Sequence, residues 1–336
     1  YTFTYTINSG ENLTVSSTSG SNIATVTVST IMAGTFTYSL ISVSDGSSTA
    51  CSQTQSGTAT VTINPLPTAT ITGTTAVCRN APSPGITFTG AGGTQPYTFT
   101  YNINGGTNTT ISTTSGNSVV LSAPTTTAGT FIYNLVSVRD GSTTMCSQSQ
   151  TGSATVTVNP LPTATITGTT AVCQNAPSPS ITFTGAGGTT PYTFTYTINS
   201  GSNQVVQTAS GSSSVAVPVP TNAVGSFTYS LVSVTDASST TCSQSQTGTA
   251  TITINPLPSA IISGTTAVCQ NATAPLITFT GSGGTTPYTF TYNINGGTSQ
   301  TVTTTGSNTT ITITAPTTLP GTFTYNLLSI KDGSST

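Results

Sequence analysis

The sequence predicts an all-β protein: tandem immunoglobulin-like β-sandwich domains of about 95 residues, joined into an elongated rod. Three observations predict it. Aromatic and β-branched residues alternate with Thr at period two, the pattern of a half-buried strand. Turn residues punctuate these runs at short intervals, and no helical periodicity competes. The chain also repeats itself. Asn-Pro-Leu-Pro occurs at Asn64–Pro67, Asn159–Pro162 and Asn255–Pro258, spaced 95 and 96 residues, and Pro-Tyr-Thr-Phe-Thr-Tyr occurs at Pro96–Tyr101, Pro191–Tyr196 and Pro287–Tyr292. That period exceeds the ~20–50 residues of a solenoid unit and suits an independent small domain. The expected division is a partial repeat over 1–64, full repeats over 65–159 and 160–255, and a partial repeat over 256–336. Residue 1 and Thr336 both fall inside repeats, so the natural chain is expected to run past both ends.

The elements of one repeat follow in order. Thr68–Ile71 alternates and reads as a first strand, and Ile86–Thr89 as a second, ended by Gly90-Ala91-Gly92-Gly93. Tyr97, Phe99, Tyr101 and Ile103 alternate with Thr98, Thr100 and Asn102, setting rings on one face and hydroxyls on the other. Asn104-Gly105 suits a tight primed turn. Thr109–Thr113 and Val119–Leu121 are shorter strands, the latter stopped by Pro124. Phe131–Val138 is a long strand closed by Asp140-Gly141, and Ala154–Val158 is the last. Seven strands in two antiparallel layers would bury the aromatics and cover the outer faces with Thr.

Composition removes several functions. Of 336 residues, three are Lys or Arg, five are Asp or Glu, and none is His. That leaves almost nothing for acid–base work, and no His to activate the many Ser and Thr, so no enzyme is expected. Three scattered cations make no basic patch for nucleic acid, and no apolar run is long enough for a membrane-spanning helix. Thr supplies 84 residues, a quarter of the chain. A disordered Ser/Thr stalk has such a composition but lacks the ordered alternation. One Lys also excludes a Lys–Asn crosslink in every repeat, and leaves trypsin only Arg79, Arg139 and Lys331.

Four of the five acids, Asp45, Asp140, Asp236 and Asp332, occupy one repeated position and read as turn residues whose carboxylates accept from nearby backbone N–H groups. One acid per repeat is too few for calcium, which takes ~6–8 oxygens, so no metal or other cofactor is expected. The aromatics read as core; a sugar-stacking platform would need rings on the polar face. Asn12, Asn108, Asn271 and Asn308 stand in Asn-x-Thr contexts, which a Thr-rich chain produces by chance.

The six cysteines, Cys51, Cys78, Cys146, Cys173, Cys242 and Cys269, fall two to a full repeat without metal-type spacing, which points to disulfides in an oxidising compartment. Two pairings fit. Within repeats they are Cys78–Cys146 and Cys173–Cys242, with Cys51 and Cys269 unpaired in this sequence. Between neighbours they are Cys51–Cys78, Cys146–Cys173 and Cys242–Cys269, each 27 residues apart. The first is preferred, since a repeat that closes its own bridge folds alone and a loop of ~70 residues contributes roughly 4 kcal/mol in the chain-entropy model. It requires the Ala76–Cys78 stretch to lie beside the last strand.

Between repeats, Pro65 and Pro67, Pro160 and Pro162, and Pro256 and Pro258 fix φ and favour an extended course, so the linker reads as a semi-rigid spacer of about four residues. Leu66, Leu161 and Leu257 are expected to plug the junctions.

Pro65–Gly73, Val77-Cys78, Ile86–Gly90, Pro96–Tyr101 and the late Cys146 resemble the Ig-like or PKD-like repeats of giant surface adhesins of gliding Bacteroidota, the SprB-type gliding-motility adhesins being the nearest group. The resemblance covers the whole sequence. It implies export by type 9 secretion, anchoring at the outer membrane, an extracellular cell-surface location, and a role in adhesion or gliding. The leading functional expectation is a structural stalk that spaces a binding domain from the cell, with polysaccharide or another surface ligand engaged by domains outside this sequence. Repeat-based polysaccharide binding and a self-associating filament or sheath are the alternatives. The latter follows from edge strands that lack the Lys residues usually guarding against lateral pairing.

Overall fold

The computed structural model describes residues 1–334. The chain divides into two compact units, Tyr1–Asn159 and Pro160–Thr336. Among the described residues there is no helix, and so none long and apolar enough to cross a membrane.

In the first unit, β1 (Thr2–Ile7), β2 (Leu13–Ser16), β3 (Gly34–Ser44) and β4 (Ser52–Ile63) form an antiparallel sheet in the order β2-β1-β3-β4. Nine strands follow: β5 (Thr68–Thr72), β6 (Thr75–Cys78), β7 (Gly85–Ala91), β8 (Thr98–Ile103), β9 (Thr109–Ser112), β10 (Ser118–Ser122), β11 (Gly129–Arg139), β12 (Ser147–Ser149) and β13 (Ser153–Asn159). They make a small sheet, β10-β7-β5, packed on a large one, β6-β13-β11-β8-β9, with β12 paired to the far end of β11.

The second unit repeats this plan with β14 (Thr163–Thr167), β15 (Thr170–Cys173), β16 (Ser180–Ala186), β17 (Thr193–Ile198), β18 (Gln204–Gln207), β19 (Ser214–Pro218), β20 (Gly225–Thr235), β21 (Ser243–Ser245) and β22 (Thr249–Asn255). The sheets are β14-β16-β19 and β15-β22-β20-β17-β18, with β21 on β20. The unit continues through β23 (Ser259–Ser263), β24 (Leu276–Ser282), β25 (Thr289–Ile294), β26 (Gln300–Thr303), β27 (Thr310–Thr314) and β28 (Tyr325–Lys331), as sheets β23-β24-β27 and β26-β25-β28.

The seven strands read from the 65–159 repeat are all present, within a few residues at their ends. Their alternation sets the packing. On β7, Ile86 and Phe88 are fully buried; on β8, Phe99 is fully buried and Tyr101 nearly so. Phe88 of the small sheet meets Phe99 and Tyr101 of the large one at ring-centroid distances of 5.6 and 5.2 Å, so the aromatics join the two layers. The second unit does the same with Phe183 against Phe194 and Tyr196, at 5.6 and 4.8 Å. The Asn104-Gly105 turn has φ of 53° and 72°, the two left-handed residues a primed turn requires. Asn104 also latches the turn to β11: its Oδ1 accepts from Ile132 N–H at 2.8 Å.

Two strands escaped the sequence reading. β12 is three residues long, beyond a bulge where the pairing of β11 with β8 shifts between Leu135 and Ser137. β6 pairs with β13 in parallel, Thr75 opposite Val156 and Cys78 opposite Asn159. The chain switches from the small sheet (β5) to the large one (β6) at Gly73, whose φ is +120°. A Cβ there would lie 2.5 Å from the Gly85 carbonyl oxygen, so only glycine turns this corner.

Phe88→Ala is expected to destabilise the first unit by about 3–5 kcal/mol, because the ring bridges both sheets with no exposed surface. Chemical denaturation followed by circular dichroism checks it; a loss under about 1 kcal/mol contradicts a bridging role.

Candidate functional site

Each full repeat has two ends, and its chemistry-bearing residues are divided between them. The receiving end is where the Pro-rich linker arrives. In the 65–159 repeat it consists of the linker, the Gly92-Gly93 loop between β7 and β8, and the Asp140–Cys146 loop between β11 and β12. The linker is seated on this loop. Pro67 is buried, and a Cβ on Gly93 would lie 3.1 Å from Pro67 Cβ and 2.8 Å from both Cβ and Oδ2 of Asp140. Gly188 faces Asp236, and Gly284 faces Asp332, in the same way. The Gly-Gly pair therefore exists to let linker and acid close on one another. Of the expected plugs, Leu66 and Leu257 are 57% and 51% exposed and Leu161 is half-buried; the second proline fills that place in the first unit.

Asp140 is more than a turn residue. It is 3% exposed. Its Oδ1 accepts from Ser142 Oγ at 2.7 Å and Ser142 N–H at 3.3 Å, and its Oδ2 accepts from Thr94 N–H at 3.1 Å. Thr94 lies 46 positions earlier, so the carboxylate ties two loops together. Gly141 N–H returns a bond to Thr94 O at 2.7 Å. Asp236 makes the equivalent bonds to Ser238 and Thr189, and its Oδ1 also accepts from Cys242 N–H at 2.9 Å. Burial alone would raise the Asp140 carboxyl. The bonds from Ser142 and Thr94 outweigh it and hold the group below the ordinary aspartate range, as Ser334 and Thr285 do for Asp332.

Beside this clamp stands Tyr97, whose hydroxyl donates to Gly93 O at 2.8 Å and accepts from Gly93 N–H at 3.2 Å. The late cysteine closes the cluster. Asp140 N–H donates to Cys146 O at 3.0 Å, and Met145 just before it is left-handed, φ 50°. Ala50 and Thr241 hold the same conformation before Cys51 and Cys242, so the backbone aims each late cysteine in the same way.

The departing end is where the last strand leaves. Cys78 lies opposite Asn159, and Arg79 N–H donates to Asn159 O at 2.8 Å. Arg79 Nε donates to Thr126 O at 2.9 Å, a task Gln174 and Gln270 perform at their positions by bonding Asn222 O and Thr318 O. The arginine is thus a structural donor rather than part of a charged patch.

This layout corrects the cysteine pairing. Cys78 and Cys242 are disulfide-bonded, while Cys51, Cys146 and Cys269 carry free thiols. Cys78–Cys146 therefore does not form, nor do Cys51–Cys78, Cys146–Cys173 and Cys242–Cys269. The physical reason is the direction of β6. It does lie beside the last strand, as a bridge to Cys146 would require, but it runs parallel to that strand and carries Cys78 to the departing end. Cys146 is at the receiving end, and the ends are separated by the eleven residues of β11, about 33 Å at ~3.3 Å per residue. A disulfide tolerates a Cα separation of only ~7 Å. Cys173 opposite Asn255 and Cys242 beside Asp236 are separated likewise by β20, so Cys173–Cys242 fails for the same reason.

Among the described residues no three His, Cys, Asp or Glu side chains gather as a metal site. The aromatics of β8, β17 and β25 point inward, and the exposed large hydrophobics include a single ring, Tyr1. A groove in the second unit, lined by Ile262, Cys269, Ile277, Ala315, Leu319 and Tyr325, opens beside β28 where the preceding repeats carry a final strand.

Two outcomes follow. Gly93→Ala should unfold the receiving end at lower temperature, because the new methyl meets both Asp140 and Pro67; a thermal midpoint unchanged within a degree would refute the interlock. For acid, the sign is set by the lowered carboxyls of Asp140 and Asp332. Their stabilisation is complete above the unfolded aspartate pKa of about 3.9 and is lost as pH falls through the folded value. The midpoint should stay flat from about pH 7 to 5 and fall below about pH 4.

No family model matches the chain, and no curated protein matches it. Solved structures similar to it include a Ca2+-stabilized adhesin that helps an Antarctic bacterium reach out and bind ice (18% identity, covering 94% of this chain and 82% of that one, TM-score 0.37). A tetra-tandem repeat in the extending region of a large adhesion protein is similar too (15% identity, 94% and 83% coverage, TM-score 0.28). Fibronectin(III)-like modules of Clostridium thermocellum CbhA are a third (14% identity, 55% and 93% coverage, TM-score 0.26). At these values the likenesses carry neither a family nor a function to this chain.

Proposed function

We infer that the chain is part of the stalk of an extracellular adhesin, a non-enzymatic mechanical spacer built from Ig-like repeats over 1–64, 65–159, 160–255 and 256–336. The observation that carries this reading is the seated linker. Pro67 packs against Gly93 and Asp140 of its own repeat, and Asn64 Nδ2, at the end of the preceding strand β4, donates to Thr144 Oγ1 at 2.8 Å. A connector fastened on both sides transmits orientation from one repeat to the next instead of acting as a swivel. The repeats contribute reach and stiffness, and ligand recognition belongs to other domains. Surface gliding, type 9 export and outer-membrane anchoring are what the likeness to SprB-type adhesins adds to this reading.

Small-angle scattering of the 336-residue chain tests it. An elongated particle is expected, with a maximum dimension growing by about 40 Å per repeat if strands of ~3.3 Å per residue run along its length. A globular profile, or binding of a polysaccharide by the repeats themselves on a glycan array, would overturn it.

A further inference from the structure

The second unit holds one strand plan twice, once with its final strand and once without. Where it is present, β22 lies between β20, which it meets antiparallel, and β15, which it meets in parallel. Its Ala250, Ile252 and Ile254 are buried in the core between the sheets. At the second occurrence, Tyr325 on β28 takes the place of Tyr229 on β20, and Cys269 that of Cys173 on β15, both 96 positions on. Among the described residues no strand lies between these two flanks. β20 is eleven residues long from Gly225, whereas β28 starts only at Tyr325, and the matching Gly321–Thr324 stretch is not strand. Thr266–Cys269, the counterpart of β15, is not strand either. Val268 is 48% exposed where Val172 packs against the core. The space between the flanks is a cavity of about 620 Å³, bounded by Thr266, Val268, Phe323 and Tyr325 and lined also by the buried Ile277 and Ala315; no residue along it is charged.

We propose that this slot is a binding site for an extended segment of a partner polypeptide, uncharged and alternating as β22 does, Ala-x-Ile-x-Ile. The segment enters antiparallel to β28 and parallel to Thr266–Cys269. The backbone already presents one edge for it. Thr324 turns the other way, its N–H donating to Asn295 Oδ1 at 2.7 Å and its carbonyl accepting from Asn295 N–H at 2.9 Å. Strand backbone groups alternate between the two edges, so those of Phe323 and Tyr325 face the slot. On β20 the equivalent edge is the one used, since Leu231 N–H donates to Gly248 O at 2.9 Å. An added strand therefore gains ladder bonds on both sides, where a small molecule would gain none in register. The register carries over from β20. The isoleucines at the places of Ile254 and Ile252 fall opposite Gly321 and Phe323, and the alanine falls opposite Tyr325, where a small residue leaves room for the ring. The inward positions select for apolar residues, because a carboxylate or ammonium there would be buried in an uncharged lining with no partner.

A synthetic peptide with the sequence Thr249–Asn255, labelled with a fluorophore at its N-terminus, tests this against the 336-residue protein. Saturable binding of one peptide per chain is expected by fluorescence anisotropy. The same peptide carrying Ile252→Asp should bind about tenfold more weakly or worse, since its carboxylate would enter the lining unpaired. In the protein, Phe323→Pro removes an N–H from the slot edge outside β28, and should abolish binding while leaving the far-ultraviolet circular dichroism unchanged. Hydrogen exchange locates the site: the bound peptide should slow the amides of Phe323, Tyr325 and Thr266–Cys269. Equal binding of the two peptides, protection confined to other strands, or full binding by Phe323→Pro would each overturn the proposal. So would a dimer in sedimentation that takes up no peptide, because a second copy would then be the occupant. None of these results depends on whether the repeats form a stalk.

Discussion

A chain with eight formally charged side chains in 336 residues must satisfy water with hydroxyls and fill its interior with rings, and every strand is written to do both. Thr is the residue that permits it. Its β-branch suits the pleated backbone, and its hydroxyl faces solvent or a neighbour across the sheet. Paired hydroxyls recur on the outer faces: Thr98 with Ser112 at 2.9 Å, Thr89 with Ser118 at 2.9 Å, and Thr289 with Thr303 at 3.0 Å. Each such pair contributes ~0.2–1 kcal/mol, and they replace the surface ion pairs that this composition cannot supply. On the inner faces the aromatic contacts between Phe88, Phe99 and Tyr101 fasten one layer to the other.

The strongly alternating strands were legible because a period of two in rings and Thr is a direct statement about burial. Thr75–Cys78 was not, since four residues of mixed burial carry no period and the sheet switch depends on Gly73, one glycine among 33. That small omission had a large effect on the cysteines. Loop entropy favoured a bridge within the repeat, and only the parallel direction of β6 shows that Cys78 and Cys146 finish at opposite ends. The repeated Asp reads as a turn former from the Asp-Gly context it has in three of its four occurrences. Its bond to Thr94 could not be read, because 46 intervening residues must fold before the two loops meet. Leu66 looked like the natural junction plug on hydrophobicity alone. Steric fit against Gly93 selects Pro67 instead.

The receiving end shows how one acid per repeat can organise a domain of low charge. A carboxylate buried without a cation is costly unless its oxygens are saturated by donors. Asp140 meets that condition with backbone N–H groups and a serine hydroxyl, and so fixes the loop that holds the late cysteine. Glycines 92 and 93 complete the arrangement by leaving room for the linker backbone and for the acid. In the first unit the arrangement holds Pro67 of the linker against Gly93 and Asp140.

The segment from Cys51 to Cys78 crosses a junction in 27 residues, and most of them already lie in β4, β5 and β6. Such a stretch has little slack left in it.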